Sequence, residues 1–169
     1  MNVNPEDEIP SLPIRIDKEG VWFYNGAVMF RKDILKLFFE SLKVDELGRY
    51  LIEFEGDKCL IEVEDTPFVV KTAGKSDVDE HETQSIEILL SDLTLEKLDI
   101  STLQVGMGNV LYCRIKDRKF KARFSRPGYY QIAEFIKYDE DGDAYFVPLN
   151  GRKYYIKDDH SGSDFKVEV

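Results

Sequence analysis

Period-two alternation dominates this 169-residue chain, and helical spacing interrupts it in two places. Ile14, Arg15 and Ile16 alternate as a short strand. The apolar runs at 21–24 (Val-Trp-Phe-Tyr) and 27–30 (Ala-Val-Met-Phe) flank Asn25-Gly26. Both turn residues tolerate positive φ, so the pattern predicts a tight hairpin. Between residues 32 and 42, Ile34, Leu35, Leu37, Phe38 and Leu42 recur at helical spacing, and Phe39 widens the apolar face. Strands are predicted at 50–54 and 59–63 around Glu55-Gly56-Asp57. A third is predicted at 68–71, after the turn Asp65-Thr66-Pro67.

Residues 76–84 are polar, acidic and aperiodic and read as a linker. The predicted organisation is an extended arm over 1–13 with Pro5, Pro10 and Pro13, a first domain over 14–75, and a second over 85–169. In the second, 86–90 reads as a strand and 93–103 as a short turn or helix leading into a strand. Residues 110–115 and 120–124 form a hairpin. A helix spans 128–136, opened by Ser125 as N-cap with Pro127 in the first turn. Residues 144–149 and 153–156 pair around Asn150-Gly151, and Phe165, Val167 and Val169 alternate as a last strand.

The order hairpin, arginine, helix, hairpin occurs twice. A shift of 95 residues lays Arg31 on Arg126, Tyr50 on Tyr145, Gly56 on Gly151, Lys58 on Lys153 and Ile61 on Ile156. The fold class expected is therefore α+β, in two related halves, each a hairpin–helix–hairpin with small antiparallel sheets. A groove between two such halves is a natural ligand seat.

Composition narrows the partners. The net charge is −10, which disfavours DNA or an anionic membrane across the whole surface. The charge is uneven: residues 1–84 hold 19 acids against 10 bases, residues 85–169 hold 14 against 13. An anion site is thus expected in the second half. Cys59 and Cys113 lack metal-ligand spacing and read as reduced core thiols. The first nine residues carry Glu6, Asp7 and Glu8 and are unlike a signal peptide. No apolar run approaches a membrane span, so the cytoplasm is the default compartment.

The most distinctive local feature is the hairpin at 110–124. Leu111, Cys113, Ile115, Phe120, Ala122 and Phe124 share one face. Tyr112, Arg114, Lys116, Lys119, Lys121 and Arg123 share the other. That basic face fits a solvated sheet or a guarded edge. It also fits a surface for phosphate, a nucleotide or the acidic first half of the chain. Arg31 and Arg126 precede helices, where they can reach an anion or close a structural salt bridge.

Other constellations carry less. Glu62 and Glu64 lie roughly 6.8 Å apart on one strand face and read as a solvent-facing edge. Residues 139–143 (Asp-Glu-Asp-Gly-Asp) lack the glycine and glutamate positions of a calcium loop and read as a hairpin turn. Gly106-Met107-Gly108 lacks the third glycine of a dinucleotide fingerprint, and His81 and His160 sit in polar loops. No nucleophile, base and orienter are placed together, and no cofactor is implied.

The motifs Ile14-Arg15-Ile16, Gly20, Trp22-Phe23-Tyr24, Gly26 and Val63-Glu64-Asp65-Thr66-Pro67-Phe68 resemble the bacterial domain-of-unknown-function family twelve-eighty-five. Ser125-Arg126-Pro127 with Tyr129-Tyr130 is similar to that family too. The resemblance implies a duplicated α+β core and a second half superficially like pleckstrin-homology folds. It implies a ligand site between the halves, for a nucleotide-like molecule, and a role in signal transduction. It carries no activity. Glu64, Asp65, Pro67 and Phe68 match its first-half motif, which would lie at the domain junction. Phe68 there would wedge into the core or meet ligand.

Two expectations follow. The first is a binding or signalling module for a small anionic, nucleotide-like ligand, held by Arg31, Lys58 and Arg126 with Trp22 or Tyr24 stacking. The second is a protein-interaction or self-association module that docks an acidic partner on the basic hairpin face.

Overall fold

The computed structural model describes residues 8–158. The chain divides into two compact units, Met1–Pro67 and Phe68–Val169. The described residues are mostly strands in sheets, with two α-helices, an α+β architecture.

In the first unit the order is β1 (Ser11–Ile16), β2 (Trp22–Tyr24), β3 (Ala27–Val28), α1 (Lys32–Glu40), β4 (Leu42–Val44), β5 (Tyr50–Phe54) and β6 (Asp57–Val63). These strands make one six-stranded sheet in the order β3-β2-β1-β6-β5-β4. Both expected tight turns form: Asn25-Gly26 and Glu55-Gly56 all have positive φ, as a two-residue hairpin loop demands. The wider turns use a second device. The Asp17 carboxylate accepts the backbone N–H of Glu19 and Val21, and Asp45 accepts those of Leu47 and Arg49. Gly20 and Gly48 supply the left-handed residue each of these turns needs.

Ile14, Ile16, Trp22, Leu42, Leu51 and Ile52 form the buried core of this unit. Helix α1 lies against it through aromatics: Trp22 stacks on Phe38 with centroids 6.1 Å apart and meets Phe39 edge-on at 5.0 Å. None of the nine residues of α1 is fully buried.

The second unit runs β7 (Phe68–Lys75), β8 (Ile86–Leu90), β9 (Leu95–Lys97), β10 (Gln104–Val105), β11 (Leu111–Ile115), β12 (Phe120–Phe124), α2 (Arg126–Ala133), β13 (Lys137–Asp139), β14 (Ala144–Leu149), β15 (Arg152–Tyr155) and β16 (Lys157–Asp158). Seven strands form a sheet in the order β16-β10-β11-β12-β7-β8-β9, and β13-β14-β15 form a second. The stretch read as a turn or helix at 93–103 is a left-handed Leu93, the edge strand β9 and a 3₁₀ turn at Ile100–Thr102.

Several expectations are corrected. Residues 76–84 do not join domains. They close the antiparallel pair β7–β8, with Ser76 and Ser85 bonded at the loop's base and Asp79 accepting from His81 and Thr83. Phe68–Lys75 therefore opens the second unit instead of completing the first. Its run Phe68, Val69, Val70 is buried throughout, as in a central strand covered on both faces. The two larger sheets are mixed: β1 with β6, β7 with β12 and β10 with β16 are parallel. Such pairs join segments distant in sequence, which no local signal marks. The arm does not reach Pro13, because β1 starts at Ser11. Cys113 is buried, but Cys59 is only half-buried. Burial, with Glu96 and Asp99 nearby, pushes the Cys113 thiol well above its ordinary value. The start of the arm, His160 and the strand expected at Phe165, Val167 and Val169 lie outside the described residues.

Helix α2 is positioned as its sequence dictates. The Ser125 side chain accepts the Gly128 N–H at 3.1 Å, and Pro127 occupies the first turn. The helix then lies tight on β7. A Cβ at Gly128 would fall 2.7 Å from the Val70 carbonyl oxygen, so only glycine fits. Gln131 Oε1 accepts the Ala73 N–H at 2.8 Å, and Ile132 is fully buried.

Candidate functional site

In the first unit a groove opens where β1 loosens from β6. The two strands pair at Ser11 with Leu60 and again at Arg15 with Glu62, so β1 spends two extra residues over this stretch. Pro13 falls inside it and cannot donate to a ladder, which is why the pairing breaks there. Its carbonyl instead accepts the Asn25 N–H at 2.9 Å. The resulting open groove measures about 780 Å³, within the range of small-molecule sites. Ser11, Arg15, Asn25, Arg49, Tyr50 and Glu62 supply its polar wall, with Ile14 and Leu60 among its apolar residues.

Its two arginines are held from behind. The Arg49 Nε donates to Asp45 at 2.7 Å, while the same carboxylate organises the β4–β5 turn. Desolvation pushes the Asp45 carboxyl up, but the Arg49 amide and guanidinium outweigh it and keep it below the usual range. Arg15 lies over the Phe23 ring, 4.4 Å from its centroid, and stands 3.6 Å from Glu64. Both guanidinium groups remain nearly half exposed. A planar fork fixed on one side by a carboxylate or ring, with N–H groups left over, is preorganised for a second anion.

The anticipated ligand residues are placed elsewhere. Arg31 precedes α1 but donates to Asp33 at 2.8 Å and provides no side-chain cap. That bond holds the Asp33 carboxyl below its ordinary value. Lys58 is exposed on β6 beside Glu53 of β5. Arg126 is exposed at the start of α2, without an ion pair among the described residues. Trp22 is only 2% exposed and cannot stack on a ligand as the chain stands, whereas Tyr24 is half exposed. Trp22 is spent on α1, and its indole N–H is buried without an acceptor among the described residues.

The Glu64–Phe68 motif divides between structural jobs. Glu64 Oε2 accepts the Lys18 N–H at 3.0 Å and faces Arg15. Pro67 is buried, and Phe68 is buried against Phe120 at 5.1 Å. Glu62 and Glu64 are not at a sheet edge, since β6 lies between β1 and β5. Asp139 Oδ1 accepts the N–H of Asp141 and Gly142, and its Oδ2 accepts Tyr155 Oη at 2.6 Å and Lys153 Nζ at 3.2 Å. Those donors hold its carboxyl at about 2. This is a turn built around one acid.

The second unit's hairpin has the two faces that alternation predicted. Leu111, Cys113, Ile115, Phe120, Ala122 and Phe124 are all buried. Tyr112 departs from its face: it is buried too, with its ring packed where a Cβ on Gly106 would stand. The cations differ among themselves. Lys116 donates to Asp92 at 2.7 Å and to Thr94, and its backbone N–H donates to Glu96. Burial opposes ionisation of Asp92, but Lys116 and Thr94 prevail and keep its carboxyl low. Arg118, which alternation alone did not single out, donates to Asp99 at 2.6 Å. These ties brace a strained tip, because Lys116, Asp117 and Arg118 are three successive left-handed residues at roughly 1–2 kcal/mol each. Arg114, Lys119 and Lys121 stay outside this bracing. Lys121 rests on the Tyr112 ring, 4.2 Å from its centroid.

Among the described residues no helix is long and apolar enough to cross a membrane. No cluster of three or more metal-ligating side chains occurs among them.

Comparison with known proteins bears on the family and the fold. Residues 2–66 match the model described as "Domain of unknown function (DUF1285), N-terminal domain", nearly the whole first unit. A crystal structure of a DUF1285 family protein from Silicibacter pomeroyi DSS-3 is similar at 18% identity and TM-score 0.71, over 88% of this chain and 80% of that one. A DUF1285 family protein from Shewanella baltica OS155 is similar at 20% identity and TM-score 0.60, over 73% of this chain and 91% of that one. At those identities the likeness speaks for the fold. No curated protein matches the chain. The first unit therefore carries the DUF1285 N-terminal domain.

Proposed function

We propose that this protein is a binding module for a small anionic ligand, seated in the groove between β1 and β6. The observation that carries the reading is the pair Arg15 and Arg49. Two guanidinium groups, each braced from one side and open on the other, line one groove of ligand size. Glu62 and the Tyr50 hydroxyl add a place for a donor, so a phosphate or carboxylate joined to a hydroxylated or aminated body fits best, which includes nucleotide-like molecules. The reading replaces Arg31, Lys58 and Arg126 as anion contacts with two arginines that line one groove.

We also read the two units as copies of one ancestral motif. The order α1-β4-β5-β6 recurs as α2-β13-β14-β15. Under the 95-residue shift the β5–β6 register, with Leu51 opposite Leu60 and Phe54 opposite Asp57, becomes the β14–β15 register, with Phe146 opposite Tyr155 and Leu149 opposite Arg152. A signalling role and a pleckstrin-homology likeness of the second unit follow from the family resemblance; the strand-rich second unit with one helix is compatible with the latter.

Trp22, the sole tryptophan, lies on β2 beside the groove strand β1 and provides the assay. Its fluorescence is titrated with pyrophosphate and with a panel of nucleotides. Saturable change that is lost in Arg15→Gln and Arg49→Gln, and kept in Arg31→Gln, is the expected result. Silence across the panel by both fluorescence and calorimetry at about millimolar ligand, a free energy near −4 kcal/mol, would sink the reading.

A further inference from the structure

Arg114 and Lys121 stand directly opposite each other across β11 and β12. Like charges in that position repel and weaken a sheet. Neither meets a carboxylate within ion-pair distance among the described residues, although the chain has ten more acids than bases. Two of the nearby acids are committed elsewhere, Asp92 to Lys116 and Asp99 to Arg118, and Glu96 accepts the Lys116 backbone N–H. Lys119, in the turn just before β12, extends the charge: it is exposed, Phe120 and Ala122 are buried, and Lys121 is half-buried between them. An acidic protein that leaves this like-charge pair without a carboxylate, with only the Tyr112 ring under Lys121, has a surface complementary to something negative.

We propose that this face of β11 and β12 docks an extended acidic segment of a partner protein. Lys119 closes the turn and Lys121 lies on β12, with the core residue Phe120 between them, a separation of up to roughly 6.8 Å at full strand rise. An extended chain with acids at every second position presents carboxylates at the same interval, and Arg114 lies beside the second contact, about 5 Å away across the ladder. The braced left-handed tip at Lys116–Arg118 holds the strand ends in place, so little ordering is needed on this side. A long nucleic acid fits less well, because the net charge of −10 repels a polyanion beyond the patch. The inference is independent of the β1–β6 groove, which lies in the other unit.

The test is fluorescence anisotropy of a labelled alternating Glu-Ser decapeptide against the full chain, at low and at physiological salt. Saturable, salt-weakened binding is expected. Arg114→Glu with Lys121→Glu should weaken it by about tenfold or more, since two charge-assisted bonds are lost. The milder pair Arg114→Gln with Lys121→Gln should weaken it in the same direction, which keeps the result readable if the reversed variant folds poorly. Lys58→Glu, in the first unit, should stay within about twofold. The proposal is overturned if the peptide does not bind, or if Lys58→Glu matters as much as the pair. It is overturned equally if a peptide with its glutamates in one block binds as well as the alternating one, or if single-stranded DNA or anionic vesicles bind more tightly.

Discussion

The two helices follow the same kind of lead-in, a hairpin ending in a polar residue, yet they are anchored by opposite means. Helix α1 presents Phe38 and Phe39 to a single buried tryptophan and leaves all nine of its residues at least partly exposed. Phe30, just before it, is 81% exposed. Helix α2 presents a glycine, comes within touching distance of the β7 backbone, and ties itself down with Ser125 and Gln131. Bulky aromatics hold a helix away from its sheet and tolerate adjustment. A glycine contact removes the gap and with it the tolerance. Helical periodicity is the stronger in α1, so the firmer seat of α2 comes from side-chain size at the contact and from its caps.

That contrast can be broken most directly at Gly128. Alanine there gains about 1 kcal/mol of helix propensity but drives a Cβ into the Val70 carbonyl, an overpacking cost of roughly 1–3 kcal/mol. The expected net is a loss of up to about 2 kcal/mol in urea unfolding, whereas Leu37→Ala on the exposed side of α1 stays below about 1 kcal/mol. Equal losses would mean that α1 is docked as tightly as α2.

The caps give a smaller and opposite pair of effects. Ser125→Ala removes the bond to Gly128 and should cost about 1 kcal/mol. Arg31→Ser supplies a cap that α1 lacks and should gain about 0.5–1 kcal/mol, since the exposed Arg31–Asp33 pair that it sacrifices contributes little. Thermal melts of both variants check the signs.

Acid provides the mildest probe. Asp139 is depressed to about 2 by the Tyr155 hydroxyl and the Lys153 ammonium. A carboxyl lowered on folding stabilises above its unfolded value, near 4, and that stabilisation is lost as pH falls through about 2. Asp139→Asn should therefore melt earlier than the parent near neutral pH and converge with it toward pH 2. A constant offset down to that pH would show that the turn depends on shape rather than on charge.

Much of the second unit's hairpin was legible beforehand. Period-two alternation from Leu111 to Phe124 is a local property, and it placed six side chains on the buried face correctly. The Ser125-Arg126-Pro127 start of α2 and the turns at Asn25-Gly26 and Asn150-Gly151 were legible for the same reason: each depends on the φ preferences and hydrogen-bonding groups of adjacent residues. The β1–β6 groove was not. It arises because Pro13, harmless within its own strand, interrupts a ladder with a partner more than forty positions away. Arg15 and Arg49 could have been suspected only by knowing that pairing. For Trp22 the sequence left both a core place and a stacking role open, because an aromatic on a hairpin looks the same whether a helix covers it or solvent does.

The residues by themselves determined the strands, the tight turns, the capped helix and the apolar face of the basic hairpin, because those features are decided by steric and hydrogen-bonding preferences within a few positions. Only the tertiary structure decided that Phe68–Lys75 joins β12 and β8 in the second unit, that β6 is interior, and which arginines share a groove. Parallel pairing unites segments tens of residues apart, and its free energy comes from burying both at once. No window of sequence contains that information.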